Sequence, residues 1–352
     1  MIGTTQNIKP VNVNYRVQNN KLSSNPLLAG AKMLPASKGL KEVNFMELLL
    51  SQIINAIMLG CTYSLVAIGF SLFFGVMDIV VFCAGDVAIF AAFCVTALVT
   101  IAGLYAALNQ LLPQFLSAII IVVTGAITTG FLMLLLYRFI IKPFENKSSL
   151  MPLLSTIAAG VALRELIGIF YPQGRNPQNF PQLLPSGFLS DIALLSWRNI
   201  IIVLATVVLV ALLYLFVNKT KMGISIQAVS QNREAAIMVG INWQKVVYIT
   251  FLIGGLILGF GGVLVASYYD VIRFDMGSMY GLKGFCAAVV GGLGNVYGAI
   301  VGGMIIAFIE VFVSAFVPGG TAYASVVAFL MVVFFILFKP EGVIGERSIE
   351  KV

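Results

Sequence analysis

The runs Ile119-Ile-Ile-Val-Val123 and Ile200-Ile-Ile-Val-Leu204 contain no polar side chain. A transmembrane β-strand alternates lipid-facing and lumen-facing residues, so unbroken apolar runs of this kind belong to helices and not to a barrel. The rest of the chain extends that reading. Of its 352 residues 60% are hydrophobic and 10% charged, and the mean hydropathy is +1.01, far outside the composition of soluble domains. Sixty per cent of 352 is about 211 apolar residues, and at roughly 20 residues per spanning helix about eight crossings fit once loops are subtracted. The expected fold is all-α: a polytopic transmembrane helical bundle of about eight crossings, with one or two broken or re-entrant segments.

Hydropathy sets the crossings near 46–72, 84–104, 115–137, 152–171, 198–217, 247–267, 283–313 and 323–338. Three regions follow: a polar, disordered extension at 1–44, a transmembrane domain at 45–340 and a short polar tail at 341–352. The extension lacks the apolar core of a secretory signal. Arg138, Lys142 and Lys147 mark one cytoplasmic loop, and Lys219, Lys221, Arg233 and Lys245 mark another at 218–245. The stretch Tyr171–Trp197 between them then lies outside, and the chain is expected to be a multi-pass membrane protein. Counting back three crossings puts the extension outside, against its six basic residues and one acid, Glu42. Its side therefore stays open.

Composition also removes functions. Without a histidine there is no His-based triad, no His-containing zinc site and no haem held by histidine. Cys61, Cys83, Cys94 and Cys286 have no CxxC spacing and sit in apolar stretches, as packing groups do. No metal set, cofactor site or catalytic residue is expected. The net charge of +7 belongs to cytoplasmic loops and forms no aromatic-interleaved patch, so nucleic acid is not an expected partner. Neither GxGxxG nor a Walker Lys-Ser/Thr occurs, because Tyr297 stands where the third glycine of the Gly292 run would be. Any ATP must be hydrolysed by other subunits.

Two segments are poor continuous helices. Gly75-Val-Met-Asp-Ile-Val-Val-Phe-Cys-Ala-Gly85, followed by Asp86, sets two acids and two glycines between apolar runs and suggests a helix interrupted within the membrane. Gly281–Gly303 holds eight glycines in twenty-three positions, too many for an isolated helix. Gly294, Gly298 and Gly302 would share one helix face, and Gly255 and Gly259 repeat the spacing, both for close packing. The loop 218–245 is too apolar for a linker and too polar for a span, and reads as two short helices at the inner surface.

Within that loop Glu234-Ala235-Ala236, then three residues, then Gly240, resembles the coupling loop of ABC-importer permeases, where a short helix sits in a cleft of the ATPase. An inert interfacial helix is the plainer alternative. The later Ile-x-Leu-Pro of the common sugar and peptide permeases is absent, replaced by Thr250-Phe-Leu-Ile253. Gly60-Cys-Thr-Tyr-Ser-Leu-Val-Ala-Ile-Gly-Phe70, Ala228 through Asn242, Ala287-Ala-Val-Val-Gly-Gly-Leu-Gly-Asn-Val-Tyr-Gly-Ala-Ile-Val-Gly-Gly303 and Lys339-Pro-Glu-Gly-Val-Ile-Gly345 all resemble the LivH-type permease of branched-chain amino acid ABC importers. The resemblance covers about 46–347. It implies a bistable path for branched-chain or other small amino acids, coupled to ATP hydrolysis through residues 223–242. It also implies a related second permease subunit, two cytoplasmic ATPase subunits, an extracytoplasmic solute-binding protein and a lipid bilayer around the chain. Urea or short amides, or a stand-alone secondary transporter, are the alternatives.

One departure bears on substrate. The family commonly has Asn-Phe-Ala-His-Gly-Glu where this chain has Val81-Phe-Cys-Ala-Gly85-Asp86. Two hydrogen-bonding side chains are gone, which favours an apolar solute over urea if these positions face the path. Gly85 and Asp86 are the candidate gate, although Asp86 could equally stabilise the start of its own helix. Glu165, beside Arg164, is expected to pair locally or with another helix. Glu310 is expected to make an interhelical contact.

Overall fold

The computed structural model describes residues 45–182 and 197–344, apart from 102, 112, 146, 149 and 340. The extension 1–44 and the tail residues 345–352 lie outside them. From Met46 onward the chain forms one compact unit. Its helices are α1 (Phe45–Met77), α2 (Ala84–Thr100), α3 (Leu104–Leu111), α4 (Gln114–Leu136), α5 (Leu150–Phe170), α6 (Trp197–Lys219), α7 (Lys221–Gln231), α8 (Arg233–Met238), α9 (Trp243–Tyr269), α10 (Met276–Gly291), α11 (Val296–Phe316) and α12 (Gly320–Phe338). A two-residue strand β1 (Gln178–Asn179) pairs antiparallel with β2 (Val271–Ile272).

Seven of these helices are long and apolar enough to cross a membrane, and α2 is a shorter apolar helix. α1 is apolar on every side, and 89% of its spanning window is buried. It lies against α9 at Gly69–Leu258, α10 at Val66–Gly284 and α11 at Ser64–Gly303. Only 17% of the corresponding window of α12 is buried, so its outer face of Val326, Leu330, Val333 and Leu337 suits hydrocarbon.

The expected single crossing at 283–313 is corrected by the structure, which divides it into α10 and α11. Gly292 and Gly294 have φ of 111° and 87°, values a right-handed helix does not allow. Asn295 then starts α11 by accepting from the amides of Tyr297 and Gly298 at 2.9 and 3.2 Å. The expected glycine face is corrected with it. Gly294 sits in the turn and meets Gly75 of α1, while Gly298 and Gly302 lie on α11 against the carbonyls of Gly291 and Ala287. Gly255 and Gly259 pack α9 against Gly130, Ala126 and Thr129 of α4, so closely that a β-carbon at either would overlap α4 atoms. The backbone of 341–344, expected as the start of a polar tail, returns to this turn. Val343 and Ile344 donate to the carbonyls of Val290 and Gly291 at 2.8 and 3.1 Å.

The two basic loops meet at one end of the bundle. α4 winds on through a π turn and a tighter turn at Lys142–Phe144, and Glu145 beyond it touches both Arg233 and Trp243 of the second loop. The β1–β2 pair lies at the other end, after α5 and after α9.

Candidate functional site

At the basic end, the polar loop folds as α7 and α8, the two short helices its composition suggests. Each helix start is capped by a side chain that the backbone needs there. Thr220 accepts from Gly223 N at 3.0 Å, Asn232 from Ala235 N at 3.1 Å and Asn242 from Lys245 N at 3.1 Å. α8 stops because Gly240 takes φ of 89°, letting Ile241 N reach back to Ala236 O at 3.0 Å. Of the four residues singled out in this loop, Glu234, Ala235 and Gly240 are exposed, whereas Ala236 is buried and faces the bundle. The apolar tip beside them carries no motif of its own in the sequence, yet Met238 is 85% and Val239 78% exposed.

The base of α8 is held tightly. The Arg233 guanidinium lies 3.8 Å from the centre of the Trp243 ring and 3.6 Å from Glu145 Oε1. Trp243 Nε1 donates to the same oxygen at 2.7 Å, and the Tyr137 hydroxyl reaches Glu145 Oε2 at 3.5 Å. Asp78, just past α1 with φ of 54°, is within electrostatic reach of Arg233. Partial burial pushes its carboxyl above the ordinary value, and Arg233 acts against that shift.

The interruption between α1 and α2 falls at 78–83, inside the stretch Gly75–Gly85. Phe82 N donates to Thr156 Oγ1 of α5 at 3.3 Å. Gly85 lies so close to the backbone of Gly277 and Gly281 that no side chain fits, and Gly277 in turn abuts Asp86. The short helices α2 and α10 therefore cross backbone to backbone at their starts. Asp86 sits in the first turn of α2, but its main partner is Arg164 of α5. The guanidinium donates from Nε to Oδ1 and from Nη2 to Oδ2, both at 3.3 Å, and the Asp86 side chain is 6% exposed. A planar fork on a carboxylate is the strong form of this contact. Glu165 pairs instead with Arg175 at 2.9 Å near the opposite end, an exposed contact.

Glu310 finds its partners on two other helices. Lys283 of α10 donates to its Oε1, and the Tyr63 hydroxyl of α1 donates to Oε2 at 3.0 Å. Lys283 also donates to the Tyr63 oxygen at 3.1 Å. A lysine inside an otherwise apolar stretch was the available signal for this cluster. Arg164 offered none that could name Asp86, 78 positions away. The four cysteines are free, and three of them are buried.

Residues 52–336 match the family described as the permease component of branched-chain amino acid transport systems. The chain belongs to this family. The high-affinity branched-chain amino acid transport permease BraD of Pseudomonas aeruginosa is 29% identical over 311 residues, 86% of this chain and 98% of BraD. LivH of Escherichia coli K12 is 29% identical over the same length, covering 97% of that protein. The probable LivH of Methanocaldococcus jannaschii is 28% identical over 70% of this chain and 80% of its own. No solved structure matches significantly. As a member of the family, this permease is a non-catalytic, multi-pass subunit of an ABC importer in the inner membrane.

Proposed function

We propose that this permease translocates branched-chain amino acids, with leucine, isoleucine and valine first and other small amino acids second, driven by ATPases that dock on α8. The observation that carries the docking reading is the tip of α8, which exposes Met238 and Val239 beside the φ-positive Gly240 while Ala236 is buried against the bundle. A rigid apolar knob at the basic end suits insertion into a cleft of a soluble ATPase. The complete importer on this reading has a related second permease, two ATPase subunits and an extracytoplasmic solute-binding protein. The joint of Gly85 and Asp86 with α10 is the gate, because there two short helices meet backbone to backbone at their starts.

Replacing Val239 with Glu tests the docking. The variant should insert normally, lose co-purifying ATPase subunits and lose uptake. Full retention of both removes the coupling role. Competition uptake in cells holding the complete importer tests the substrate, and urea outcompeting leucine at equal concentration overturns the ordering.

A further inference from the structure

The tip of α8 is where an ATPase would push; the base is where the push enters the membrane domain. Arg233 is the first residue of α8, only five positions from Met238, a span of about 7.5 Å along a helix. Its side chain touches two separate elements. It stacks on Trp243, the first residue of α9, and pairs with Glu145, which lies in the α4–α5 connection just after the turn at Lys142–Phe144. It also bears electrostatically on Asp78, which opens the α1–α2 interruption. Trp243 and Glu145 are bonded to each other as well, so the three groups form a closed set and cannot shift independently.

From there a chain of contacts leads to one place. Beyond Glu145, α5 carries Thr156, which holds Phe82 N, and Arg164, which holds Asp86. Beyond Asp78 the chain itself runs through 79–83 to Gly85. We propose that Arg233 is the positioning residue through which displacement of α8 is transmitted to the α1–α2 interruption, by way of Glu145 and α5. This rests on the docking reading above. Arginine suits the role because its planar fork stacks and pairs at once, which a lysine ammonium cannot do.

The test uses the complete importer reconstituted in liposomes, reading leucine uptake per ATP hydrolysed alongside the ATPase subunits that co-purify. Arg233→Lys keeps the charge on a side chain that is 47% exposed, so it leaves folding untroubled. It should keep its ATPases and lower uptake per ATP about tenfold, within the usual range of coupling between sites. Glu145→Gln should act in the same direction, and Arg233→Glu with Glu145→Arg should recover uptake relative to Arg233→Glu alone. Wild-type uptake per ATP in Arg233→Lys overturns the proposal. Loss of the ATPases in Arg233→Lys also overturns it, because Arg233 would then dock and not transmit. If Val239→Glu keeps its ATPases, the docking reading fails and takes this inference with it, whatever Arg233→Lys does.

Discussion

Lys283→Met isolates the intramembrane cluster. Methionine keeps the length of the side chain and removes its charge, leaving the Glu310 carboxylate, on a side chain only 13% exposed, with the Tyr63 hydroxyl at 3.0 Å. Removing one partner of a buried ion pair costs about 3–5 kcal/mol, because the remaining charge is left without compensation. Removing both halves is far milder, so Lys283→Met with Glu310→Gln should regain most of that loss, and with Glu310→Gln alone completing the cycle the coupling energy should be about 2 kcal/mol or more. Arg175→Ala is the control. Its pair with Glu165 has side chains 65% and 49% exposed and should contribute under about 1 kcal/mol. Unfolding in mixed detergent micelles, followed by tryptophan fluorescence, reads all five proteins. A Lys283→Met variant within about 1 kcal/mol of wild type, or a double variant no more stable than the single, would refute the reasoning.

Gly302→Leu drives a side chain into the Ala287 carbonyl and the Gly291 amide; it should cost more than the roughly 1–3 kcal/mol of ordinary overpacking, seen as lost yield of folded protein, whereas Gly240→Asn, at a φ-positive site with open space, should be tolerated. Asp86→Asn should lower uptake roughly tenfold or more by stranding Arg164, and Asp86→Glu, which keeps the charge, should retain more uptake than Asp86→Asn in the same cells. Hydrogen bonding and charge from Arg273 hold the Asp275 carboxyl below its ordinary value. A depressed carboxyl stabilises the fold above its unfolded value of about 3.9, and that contribution fades as pH falls through the lower folded value. The pair is exposed, so the effect should stay under about 1 kcal/mol, and Arg273→Ala should remove it from the acid limb of an unfolding titration.

How much of this was legible beforehand depended on how local each feature is. A bilayer requires every spanning backbone group to be satisfied within its own helix, so continuous apolar runs such as Ile119–Val123 declare a crossing without reference to any other part of the chain. The loop 218–245 was equally readable, because Thr220, Asn232 and Asn242 cap their helices through neighbours three residues away. The order of the glycine-rich pieces pointed to the family for the same reason. Packing decided the rest. Whether Gly294 continued a helix or turned out of one depended on Gly75 and on the returning segment at 342–344, which come from both ends of the chain. Ala236 looked like its neighbours Glu234 and Ala235, and only the bundle behind it turned it inward. Asp86 and Arg164, Lys283 with Glu310 and Tyr63, and Arg233 with Glu145 each join residues from different helices or loops. A charge in an apolar stretch announces from sequence alone that it needs a partner, since leaving it unpaired is too costly. Which partner it finds is set by the tertiary packing, because the distances that decide it are measured across helices and not along the chain.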